Sequence, residues 1–439
     1  MSDTTIVLLV AVVLIGSLMM PFILRSRRQE RTAVEAEEEA RALGLWEPVT
    51  LHPVVDVERC IGTGSCTEVC PEGDVLGLRN GQAYAIQPGR CVGHGLCERS
   101  CPVDAIQLVF GTAKRGVDLP RIKGNFESNV PGLFIIGELA GMGLIRNAFE
   151  QGKQVIDGIM KSDPRSGKAG MSDILVVGCG PAGLSTALHA LERGINVKTI
   201  EREDIGGTVR LFPRKKLVMT RPIDVPGWGR MTGPEIQKER LMDIWGDIIH
   251  KSGLIVNTRE GAQRIAPCTG GFDVVTSTAT YKAKRVVLAI GRRGTPRKLG
   301  VPGEELPKVM YALREPEVFQ RDKVLVVGGG DSAIEAALAL SQQKGNRVTI
   351  SYRQDKFGRI KPANRERIEK AISAGRVEVL WKTNVLEILP TEVRIHDDVR
   401  GTESTLQNSV VFIFAGGELP TAFLKACGVA IDTKFGSPR

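Results

Sequence analysis

The chain lacks several features that would assign it to common classes of protein. None of its nine cysteines forms a C-x-x-C pair, so chemistry based on dithiol–disulfide exchange has no motif to work with. Aromatic residues make up only 5% of the sequence, and the formal charge of +9 includes no long basic tract, which disfavours nucleic-acid binding. No hydrolytic triad or metal–water site stands out either. We therefore predict no catalytic side chain and expect the chemistry to reside in bound cofactors.

What is present fits a globular protein of two or three domains. Of the 439 residues, 42% are hydrophobic and 25% are charged, and a chain of this length can bury several cores. Six cysteines fall between residues 60 and 101, whereas Cys179, Cys268 and Cys427 are scattered. This distribution predicts a cluster of ligands in a reducing compartment, because a disulfide framework would have little to stabilise in so large a chain.

The longest apolar stretch lies at the N-terminus. Ile6–Leu24 carries no charge and as a helix would span roughly 28 Å, the thickness of a hydrocarbon layer. Arginines follow this stretch and only Asp3 precedes it, so the positive-inside rule places the rest of the chain in the cytoplasm. We expect a single-pass membrane anchor at residues 1–28 and a polar, solvated helical linker at 29–48. A signal peptide and a buried helix are the alternatives.

A cysteine pattern occurs twice in the next part of the chain. The form C-x5-C-x3-C-P begins at Cys60 and again at Cys91, and it resembles the bacterial ferredoxin run C-x2-C-x2-C-x3-C-P, whose fourth cysteine binds the other cluster. Thr63 and His94 stand at the position of the missing cysteine in each run. Glycines flank both positions, as in a loop that folds closely around a cluster.

The ferredoxin resemblance implies two iron–sulfur clusters with three thiolates each. One cluster would be bound by Cys60, Cys66 and Cys101, and the other by Cys91, Cys97 and Cys70. Three thiolates suffice for a 3Fe-4S cluster, whereas a 4Fe-4S cluster needs a further ligand, for which His94 is a candidate and Thr63 a poor one. The alternatives are a zinc site and a degenerate domain that has lost its metal.

Two glycine-rich fingerprints follow. The apolar run Ile174–Val177 leads into GCGPAG at 178–183, then a helical pattern and a strand that ends at Glu201. This order predicts a dinucleotide site in which glycines admit the pyrophosphate and the acid accepts hydrogen bonds from ribose hydroxyls. The run at 324–327 leads into GGGDSA at 328–333 in the same way.

The strand after the second fingerprint ends without an acid. Four cations follow it instead: Arg353, Lys356, Arg359 and Lys361. Cations at this place suit a 2′-phosphate, so the sequence favours NADPH over NADH. The alternative is a solvated basic turn.

Together the two fingerprints are similar to those of the thioredoxin-reductase-like flavoproteins of the pyridine nucleotide-disulfide reductase superfamily, and the resemblance extends over most of the chain. It implies FAD at the first fingerprint and NAD(P)H at the second. The segment at 206–208 resembles the flavin-side loop of that family, and the segment around Gly291 resembles its crossover between the two nucleotide domains. The predicted cofactor-binding residues are, for FAD, Gly178, Gly180, Pro181, Ala182, Gly183, Glu201, Gly206, Gly207, Thr208, Gly291, Gly137 and Glu138, and, for NAD(P)H, Gly328, Gly330, Asp331, Ser332, Ala333, Arg353 and Arg359.

One segment is out of order relative to that family. The family ends with a PGLFxxGD-type stretch that closes over the flavin, whereas here the similar stretch, Val130–Gln154, precedes the first fingerprint and carries Glu138 at the place of the acid. We interpret this order as a circular permutation. The alternative is that the stretch completes the flavin site of a second subunit in a swapped dimer.

These observations predict an α/β protein with two Rossmann-like three-layer domains, a small α+β ferredoxin-like domain and one N-terminal transmembrane helix. The predicted boundaries are 49–110 for the ferredoxin-like domain, 111–161 for the permuted flavin cap, 171–295 for the FAD-binding domain, 296–408 for the NAD(P)H-binding domain and 409–439 for a return to the FAD domain.

The expected function is that of a membrane-anchored oxidoreductase that transfers electrons between NAD(P)H and an iron–sulfur or ferredoxin-type carrier. Nicotinamides exchange electron pairs and clusters single electrons, and flavin handles both. The alternatives are an NAD(P)H–quinone dehydrogenase and a non-catalytic redox sensor or assembly subunit. The expected partners are the membrane and a carrier protein such as a ferredoxin, with a homodimer left open and no nucleic acid.

Overall fold

The structure is a computed structural model that describes the chain except for residues 1–2, 43–47, 49–50, 92, 115, 142, 163–169, 213, 215, 219–221, 232–235, 293–294, 359, 361, 419 and 439. It divides into two compact units. The first comprises Met1–Val117 with Lys434–Arg439, and the second comprises Asp118–Thr433.

The first unit consists of a long N-terminal helix followed by a small α+β fold. Its elements are α1 (Asp3–Ala42), β1 (Leu51–Val55), α2 (Ser65–Glu68), β2 (Leu76–Arg79), β3 (Gln82–Ala85), α3 (Leu96–Arg99) and β4 (Ile106–Phe110). β1 pairs with β4 and β2 with β3, both antiparallel. The short helices α2 and α3 each follow a glycine in the left-handed region, Gly64 at φ 74° and Gly95 at φ 69°. The repeat in the sequence is therefore a repeat in the fold.

Helix α1 is one element through both the predicted anchor and the predicted linker. Its second half packs on β2, because Ala33 and Ala40 are buried and a Cβ added at Gly77 would lie 2.9 Å from that of Ala33. Gln87 Nε2 donates to the Ala36 carbonyl at 3.3 Å. The linker predicted at 29–48 is helical through Ala42 but is not solvated on every side, since alanines spaced three and four residues apart form a flat face that a strand can approach.

The predicted membrane anchor at residues 1–28 finds no support in the structure. Among the helices of the described residues, none has both the length and the apolar character required to cross a membrane.

The chain enters the second unit along β5 (Val117–Pro120). The elements of its first domain are β6 (Leu133–Ile135), α4 (Ile145–Ser162), β7 (Ser172–Val177), α5 (Pro181–Glu192), β8 (Val197–Ile200), β9 (Leu217–Val218), β10 (Ile223–Val225), β11 (Gly229–Met231), β12 (Ile236–Gln237), α6 (Lys238–Ser252), β13 (Val256–Asn257), β14 (Ala262–Cys268), β15 (Gly271–Thr276) and β16 (Thr280–Leu288). A seven-stranded sheet has the order β13-β8-β7-β16-β15-β14, with β6 also paired to β16. Helices α4 and α5 pack on one face and share a core there with β6 and β7.

The second domain repeats this three-layer plan. The remaining elements are β17 (Thr295–Pro296), β18 (Val309–Met310), β19 (Lys323–Val327), α7 (Asp331–Ser341), β20 (Arg347–Tyr352), α8 (Pro362–Ser373), β21 (Val377–Trp381), β22 (Thr383–Ile388), β23 (Glu392–Asp397), β24 (Thr402–Gln407), β25 (Val410–Ile413), β26 (Gly417–Glu418), α9 (Thr421–Ala426) and β27 (Ile431–Lys434). A parallel sheet of order β18-β25-β19-β20-β21 carries α7 and α8 on one face and the β22-β23-β24 meander on the other. The predicted mixed α/β fold is confirmed.

The predicted boundary at residue 409 is displaced. Strand β25 lies between β18 and β19 in the second sheet, so the second domain extends to Ile413. The chain returns to the first domain only where β26 pairs with β17, and Lys434–Arg439 belong to the first unit. The physical reason is that β25 is buried on both faces, and the parallel sheet needs it to join β18 to β19.

Candidate cofactor sites

A cavity of about 500 Å³ lies at the carboxyl end of β7 in the second unit. The turn of the first fingerprint, the predicted cap and the crossover segment form its walls. Ten of the twelve residues predicted to bind FAD line it: Gly178, Gly180, Pro181, Ala182, Glu201, Gly207, Thr208, Gly291, Gly137 and Glu138. Gly183 and Gly206 lie behind the wall.

The glycines of the first fingerprint let the backbone pack closely around this cavity. Gly178 has φ 98°, and a Cβ there would lie 2.7 Å from the carbonyl oxygen of Ala289. A Cβ on Gly183 would lie 1.8 Å from the carbonyl oxygen of Gly178, so this residue sets the close approach of helix to strand. Gly291 instead faces open space. Close backbone packing therefore requires glycine at 178 and 183, whereas a side chain at 291 would extend into open space.

Helix α5 points its N-terminus at the cavity. Gly180 is the N-cap residue, and no side chain caps the helix. The N–H groups of the first turn and the positive end of the helix dipole are thus available to an anion such as a pyrophosphate.

Glu201 stands at the end of β8, as predicted. It is buried, and its Oε2 accepts from the Cys179 amide at 2.6 Å while Oε1 accepts from the Glu203 amide at 2.9 Å. A carboxylate has further lone pairs. It can therefore also accept from hydroxyl groups in the cavity that it lines.

The cap segment completes the cavity of its own chain. β6 pairs in parallel with β16, placing Leu133 opposite Val286, and a 3-10 turn at Gly137–Ala140 follows it. Because this turn and the start of α4 line the same cavity as the first fingerprint, a second subunit is not needed to supply them. The cap and the first fingerprint of one chain thus form the cavity together, in spite of the permuted order of the segments.

Sequence reasoning missed several residues around this cavity. Phe423 of α9 and Gly261 line it although they are far from the fingerprint in sequence. Arg292 follows Gly291; burial lowers the pKa of its guanidinium, while the carboxylates of Glu138 and Asp118 raise it. A single arginine carries no pattern, so only the fold reveals these neighbours.

The second fingerprint has the same construction. Gly328 has φ 135°, and a Cβ there would lie 2.5 Å from the Phe414 carbonyl oxygen. Helix α7 begins at Asp331 with Gly330 as an N-cap that no side chain caps. Asp331 Oδ1 accepts from the buried Asn364 amide at 2.7 Å. Ser332 and Ala333 continue the first turn, so the predicted nucleotide residues share one helix N-terminus.

The predicted phosphate-binding cations lie just beyond β20. Arg353 and Lys356 are exposed there. Arg359 and Lys361 lie outside the described residues.

In the first unit, the six clustered cysteines lie around one small core, and cysteines of the two runs are close to one another. Cys60, Cys66 and Cys101 line one cavity together with Thr63. Burial raises the pKa of the Cys66 thiol, and the charges of Cys60 and Cys101 raise it further. A cysteine of the second run thus lies beside two of the first.

In the other predicted set, Cys91 and Cys97 of the second run lie near Cys70 of the first run. Burial raises the pKa of Cys91 to about 12, with added contributions from Cys97 and Cys70. Burial likewise raises the pKa of Cys97 to about 11, and the charges of Cys70 and, to a smaller extent, Cys66 of the first set raise it further. Such high pKa values keep these sulfurs as protonated thiols at neutral pH unless a bound cation stabilises the thiolate form.

Backbone amides point at several of these sulfurs. Ala83 N donates to Cys60 Sγ at 3.3 Å, and Ala105 N donates to Cys101 Sγ at 3.2 Å. Gly93 N donates to Cys91 Sγ at 3.4 Å. Hydrogen bonds to ligand sulfurs are one of the means by which proteins set cluster potentials, so the donor set fits iron–sulfur clusters.

The two positions without cysteine differ. Thr63 is exposed and its Oγ1 accepts from Ser65 Oγ at 3.1 Å, whereas His94 is half-buried. Within the described part of the chain, no group of three or more His, Cys, Asp or Glu side chains is arranged to hold a metal ion.

The nine cysteines all lie in the described part of the chain, and none of them forms a disulfide bond there. Cys427 is buried in the core of the first domain with Leu424 and Val429, and Cys179 is buried in the fingerprint turn. Cys268 is half-exposed on β14.

Comparisons with known proteins agree with this division. A family model described as pyridine nucleotide-disulphide oxidoreductase matches residues 175–438, and one described as 4Fe-4S dicluster domain matches residues 52–102. The chain is 34% identical over 273 residues to a ferredoxin–NADP reductase of Ignicoccus hospitalis, covering 60% of this chain and 83% of that protein. It is 27% identical over 269 residues to a bacilliredoxin reductase of Bacillus subtilis, covering 60% and 82%.

Among solved structures, the chain is similar to the bacillithiol disulfide reductase of Bacillus cereus. The TM-score is 0.54 at 26% identity, over 59% of this chain and 82% of that one.

Proposed function

Because the chain belongs to the pyridine nucleotide-disulphide oxidoreductase family and carries a 4Fe-4S dicluster domain, we propose that it is a FAD-dependent NADPH oxidoreductase that exchanges electrons with a ferredoxin-type carrier protein. The observation that carries this proposal is the sorting of the six cysteines. Cys60 and Cys66 of the first run line one cavity with Cys101 of the second, which supports two crossed sets, and the same chain has a cavity lined by the first dinucleotide fingerprint. The relative named ferredoxin–NADP reductase supports the same choice of partner.

The residues of the flavin cavity would hold FAD along its length. The uncapped N-terminus of α5 would bind the pyrophosphate, and Glu201 would accept from the ribose hydroxyls. The Gly137–Ala140 turn and the start of α4 would cover the other end and exclude water. Bound FAD supplies the chemistry that links electron pairs to single electrons.

The second fingerprint would hold the nicotinamide nucleotide at the N-terminus of α7. Its strand β20 ends at Tyr352 without an acid, so the side chain that would select a free 2′-hydroxyl is missing. Arg353 follows as an exposed cation. This arrangement favours NADPH.

Each cysteine set would bind one iron–sulfur cluster. We propose Cys60, Cys66 and Cys101 for one cluster and Cys91, Cys97 and Cys70 for the other. His94 is the proposed fourth ligand of the second cluster, which would then be of 4Fe-4S type. The exposed Thr63 leaves the first with three thiolates, and we propose a 3Fe-4S cluster there.

The test is anaerobic purification of the full chain, with flavin, iron and sulfide measured per chain and a visible spectrum recorded before and after NADPH. We expect one FAD and iron near six to eight, as two clusters require. NADPH should bleach the flavin band, and added ferredoxin should become reduced. Absence of flavin, or a flavin that NADPH does not bleach, would refute the proposal. Reduction of added quinone in place of ferredoxin would favour the dehydrogenase alternative.

Cysteine variants separate crossed from uncrossed ligation. Cys101→Ser should remove the same electron paramagnetic resonance signal as Cys60→Ser, although Cys101 lies in the second run. Cys70→Ser should match Cys91→Ser. If Cys101→Ser instead matches Cys91→Ser, each run binds its own cluster and the assignment is wrong. Cys268→Ser, on β14 of the second unit, is the control and should leave both signals unchanged.

The location of the chain remains a prediction from the sequence. We propose that the folded units lie in the cytoplasm, because the positive-inside rule would keep the arginines after Leu24 on that side if the apolar stretch at 6–24 entered a membrane. Cell fractionation after an alkaline carbonate wash would test the membrane attachment, since a peripheral protein is released by the wash and an integral one is retained.

A further inference from the structure

Tyr352 is the last residue of β20 and lies beside the turn of the second fingerprint. Strand β20 pairs in parallel with β19, and the backbone N–H of Gly328 donates to the carbonyl oxygen of Ser351 at 3.0 Å. In a βαβ nucleotide site, the residue at this end of the strand faces the adenosine ribose of the dinucleotide. The proposed function uses only the lack of an acid at this position and gives the tyrosine side chain no role.

The ring of Tyr352 covers the fingerprint turn. A Cβ added at Gly329 would lie 2.4 Å from Cζ of the ring and 2.5 Å from both Cε1 and Cε2. The hydroxyl end of the ring therefore rests on the backbone of Gly329. Gly329 is buried, whereas Gly330, the next residue and the N-cap of α7, is exposed. The ring thus lies next to the backbone that the nucleotide approaches.

Two further aromatic residues hold this ring in place. Its centroid lies 5.7 Å from that of Phe357, with 22° between the ring planes, and 6.4 Å from that of Trp381, with 61° between the planes. Phe357 is itself buried, and its centroid is 4.6 Å from that of Trp381. A tyrosine packed in this way presents its hydroxyl in a fixed direction, so little conformational entropy is lost when that hydroxyl binds a ligand.

The hydroxyl of Tyr352 is accessible at the nucleotide site. The side chain is partly exposed, and among the described residues its hydroxyl is neither hydrogen-bonded nor enclosed. A phenol donates one hydrogen bond and carries no charge at neutral pH. It can therefore donate to a phosphate oxygen at the place where a carboxylate would repel phosphate. The exposed cations Arg353 and Lys356 follow it in the chain and add positive charge there.

A free 2′-hydroxyl could also bond to the phenol, but with less gain. A hydrogen bond between two neutral groups contributes less to affinity than one to a charged group, because water competes better for neutral partners. The same side chain therefore favours a nucleotide with a 2′-phosphate over one without it.

We propose that Tyr352 is a specificity residue of the second nucleotide site: its ring covers the turn beneath the adenosine ribose, and its hydroxyl donates to the 2′-phosphate of NADPH. The proposal rests on the proposed function for the identity of the nucleotide. It concerns only how the 2′-phosphate is recognised, and it can fail while electron transfer through FAD stands.

The test uses the full chain with Tyr352→Phe, which keeps the ring on Gly329 and removes only the hydroxyl. The probes are adenosine 2′,5′-bisphosphate and AMP, which match the adenosine halves of NADPH and NADH, and calorimetric titration measures their binding. We expect the dissociation constant of the bisphosphate to rise about tenfold, as for a lost hydrogen bond to a charged group, and that of AMP to stay within about twofold. KM for NADPH should rise with the former, and KM for NADH should not.

The matched control is Tyr311→Phe. Tyr311 lies in the same domain but packs on the other face of its sheet, and its hydroxyl donates to Glu304 Oε1 at 2.8 Å. This variant removes the same group away from the fingerprint turn. Both probes should bind to it as they bind to the original protein.

Each other outcome has a definite meaning. If Tyr352→Phe binds the bisphosphate as tightly as the original protein does, the hydroxyl is not used and the proposal is overturned. Equal weakening of both probes would overturn it too, because the hydroxyl would then support the turn and not the 2′-phosphate. An original protein that binds AMP as tightly as the bisphosphate recognises no 2′-phosphate, which likewise overturns it. A flavin that NADPH does not bleach refutes the proposed function instead, and the calorimetry still decides the role of Tyr352.

Discussion

At the scale of single residues, Glu260 fixes the loop that forms one wall of the flavin cavity. It is 5% exposed. Its carboxylate accepts from four side chains, Thr276 Oγ1 at 2.6 Å, Thr278 Oγ1 at 2.6 Å, Asn257 Nδ2 at 2.9 Å and Tyr281 OH at 3.1 Å. Burial alone would raise its pKa, but these hydrogen bonds outweigh burial and lower the pKa to about 2. The charged form is therefore part of the fold.

This shift predicts how stability depends on pH. A carboxylate with a lowered folded-state pKa stabilises the protein above its unfolded pKa, and that stability is lost as pH falls from about 4.5 toward 2. Glu260→Gln should lower the free energy of unfolding by about 2 kcal/mol at pH 7, measured by urea denaturation, with a smaller difference at pH 3. Glu366→Gln is the control, because Glu366 and its ion-pair partner Lys370 are both exposed. Equal differences at both pH values would contradict the assignment.

Arg353 is the residue that we propose to select NADPH over NADH. Arg353→Gln should raise KM for NADPH at least about tenfold, as expected for a lost charge-assisted hydrogen bond, and leave KM for NADH unchanged. Arg347 begins the same strand and is also exposed, so Arg347→Gln serves as the matched control. Equal effects of Arg353→Gln on both nucleotides would show that Arg353 does not read the 2′-phosphate.

Residues that belong to a local backbone pattern could be predicted from the sequence, and others could not. The glycines and acid of the first fingerprint follow from a strand, a tight turn and a helix that are continuous in the chain. Arg292, by contrast, interacts with the charges of Glu138 and Asp118, which lie far from it in the sequence. Nothing in the spacing of the sequence records those contacts, so they emerge only when the chain is folded.

At the scale of elements, α4 shows two glycines with opposite roles. Gly152 is wedged against α5, where a Cβ would lie 2.8 Å from the Ala182 carbonyl oxygen, whereas Gly158 would bring a Cβ no closer than 3.9 Å to Asn125. Glycine costs about 1 kcal/mol relative to alanine inside a helix. Only at Gly152 does close packing against α5 require a residue without a side chain.

Alanine at the two positions should therefore change stability in opposite directions. Gly158→Ala should raise the free energy of unfolding by up to about 1 kcal/mol through helix propensity alone. Gly152→Ala should lower it by about 1–3 kcal/mol, because backbone at α5 cannot give way. Thermal denaturation of both variants with FAD present measures this. Stabilisation by both substitutions would mean that α4 and α5 are not in close contact.

The linker shows where element-level prediction failed. Gln29–Leu45 is rich in charge, which suggested a solvated helix. The structure buries the alanine face instead, through Ala33 and Ala40. A pattern of small residues gives a weak hydrophobic signal, so its partner, Gly77 on β2, could be recognised only in the fold.

At the scale of the whole molecule, the cap packs in the sheet of the first domain although its position in the sequence differs from the family's usual order. The cap precedes the first fingerprint in sequence, yet β6 pairs with β16 as a strand of the same sheet. In the family's usual order, the segment that ends near residue 433 would continue directly into the cap. These two points are close in the fold, because β27 pairs with β5 and Thr433 Oγ1 donates to Asp118 Oδ1 at 2.7 Å. A short loop can therefore join these two points.

This geometry predicts that restoring the usual order preserves the flavin site. A chain running from 170 to 433, then a short glycine–serine loop, then 118 to 162 keeps every strand pairing within the second unit, and closing so short a loop has a small entropic cost. We expect it to bind FAD with an affinity within about tenfold of the full chain, which corresponds to about 1.4 kcal/mol, and to contain no iron because residues 60–101 are absent. FAD titration and iron analysis measure both. The matched control ends at 433 without the cap; it should bind FAD far more weakly, since it lacks the Gly137–Ala140 turn and α4. If the rearranged chain binds FAD no better than this control, the cap does not complete the cavity of its own chain, and the swapped-dimer alternative regains its place.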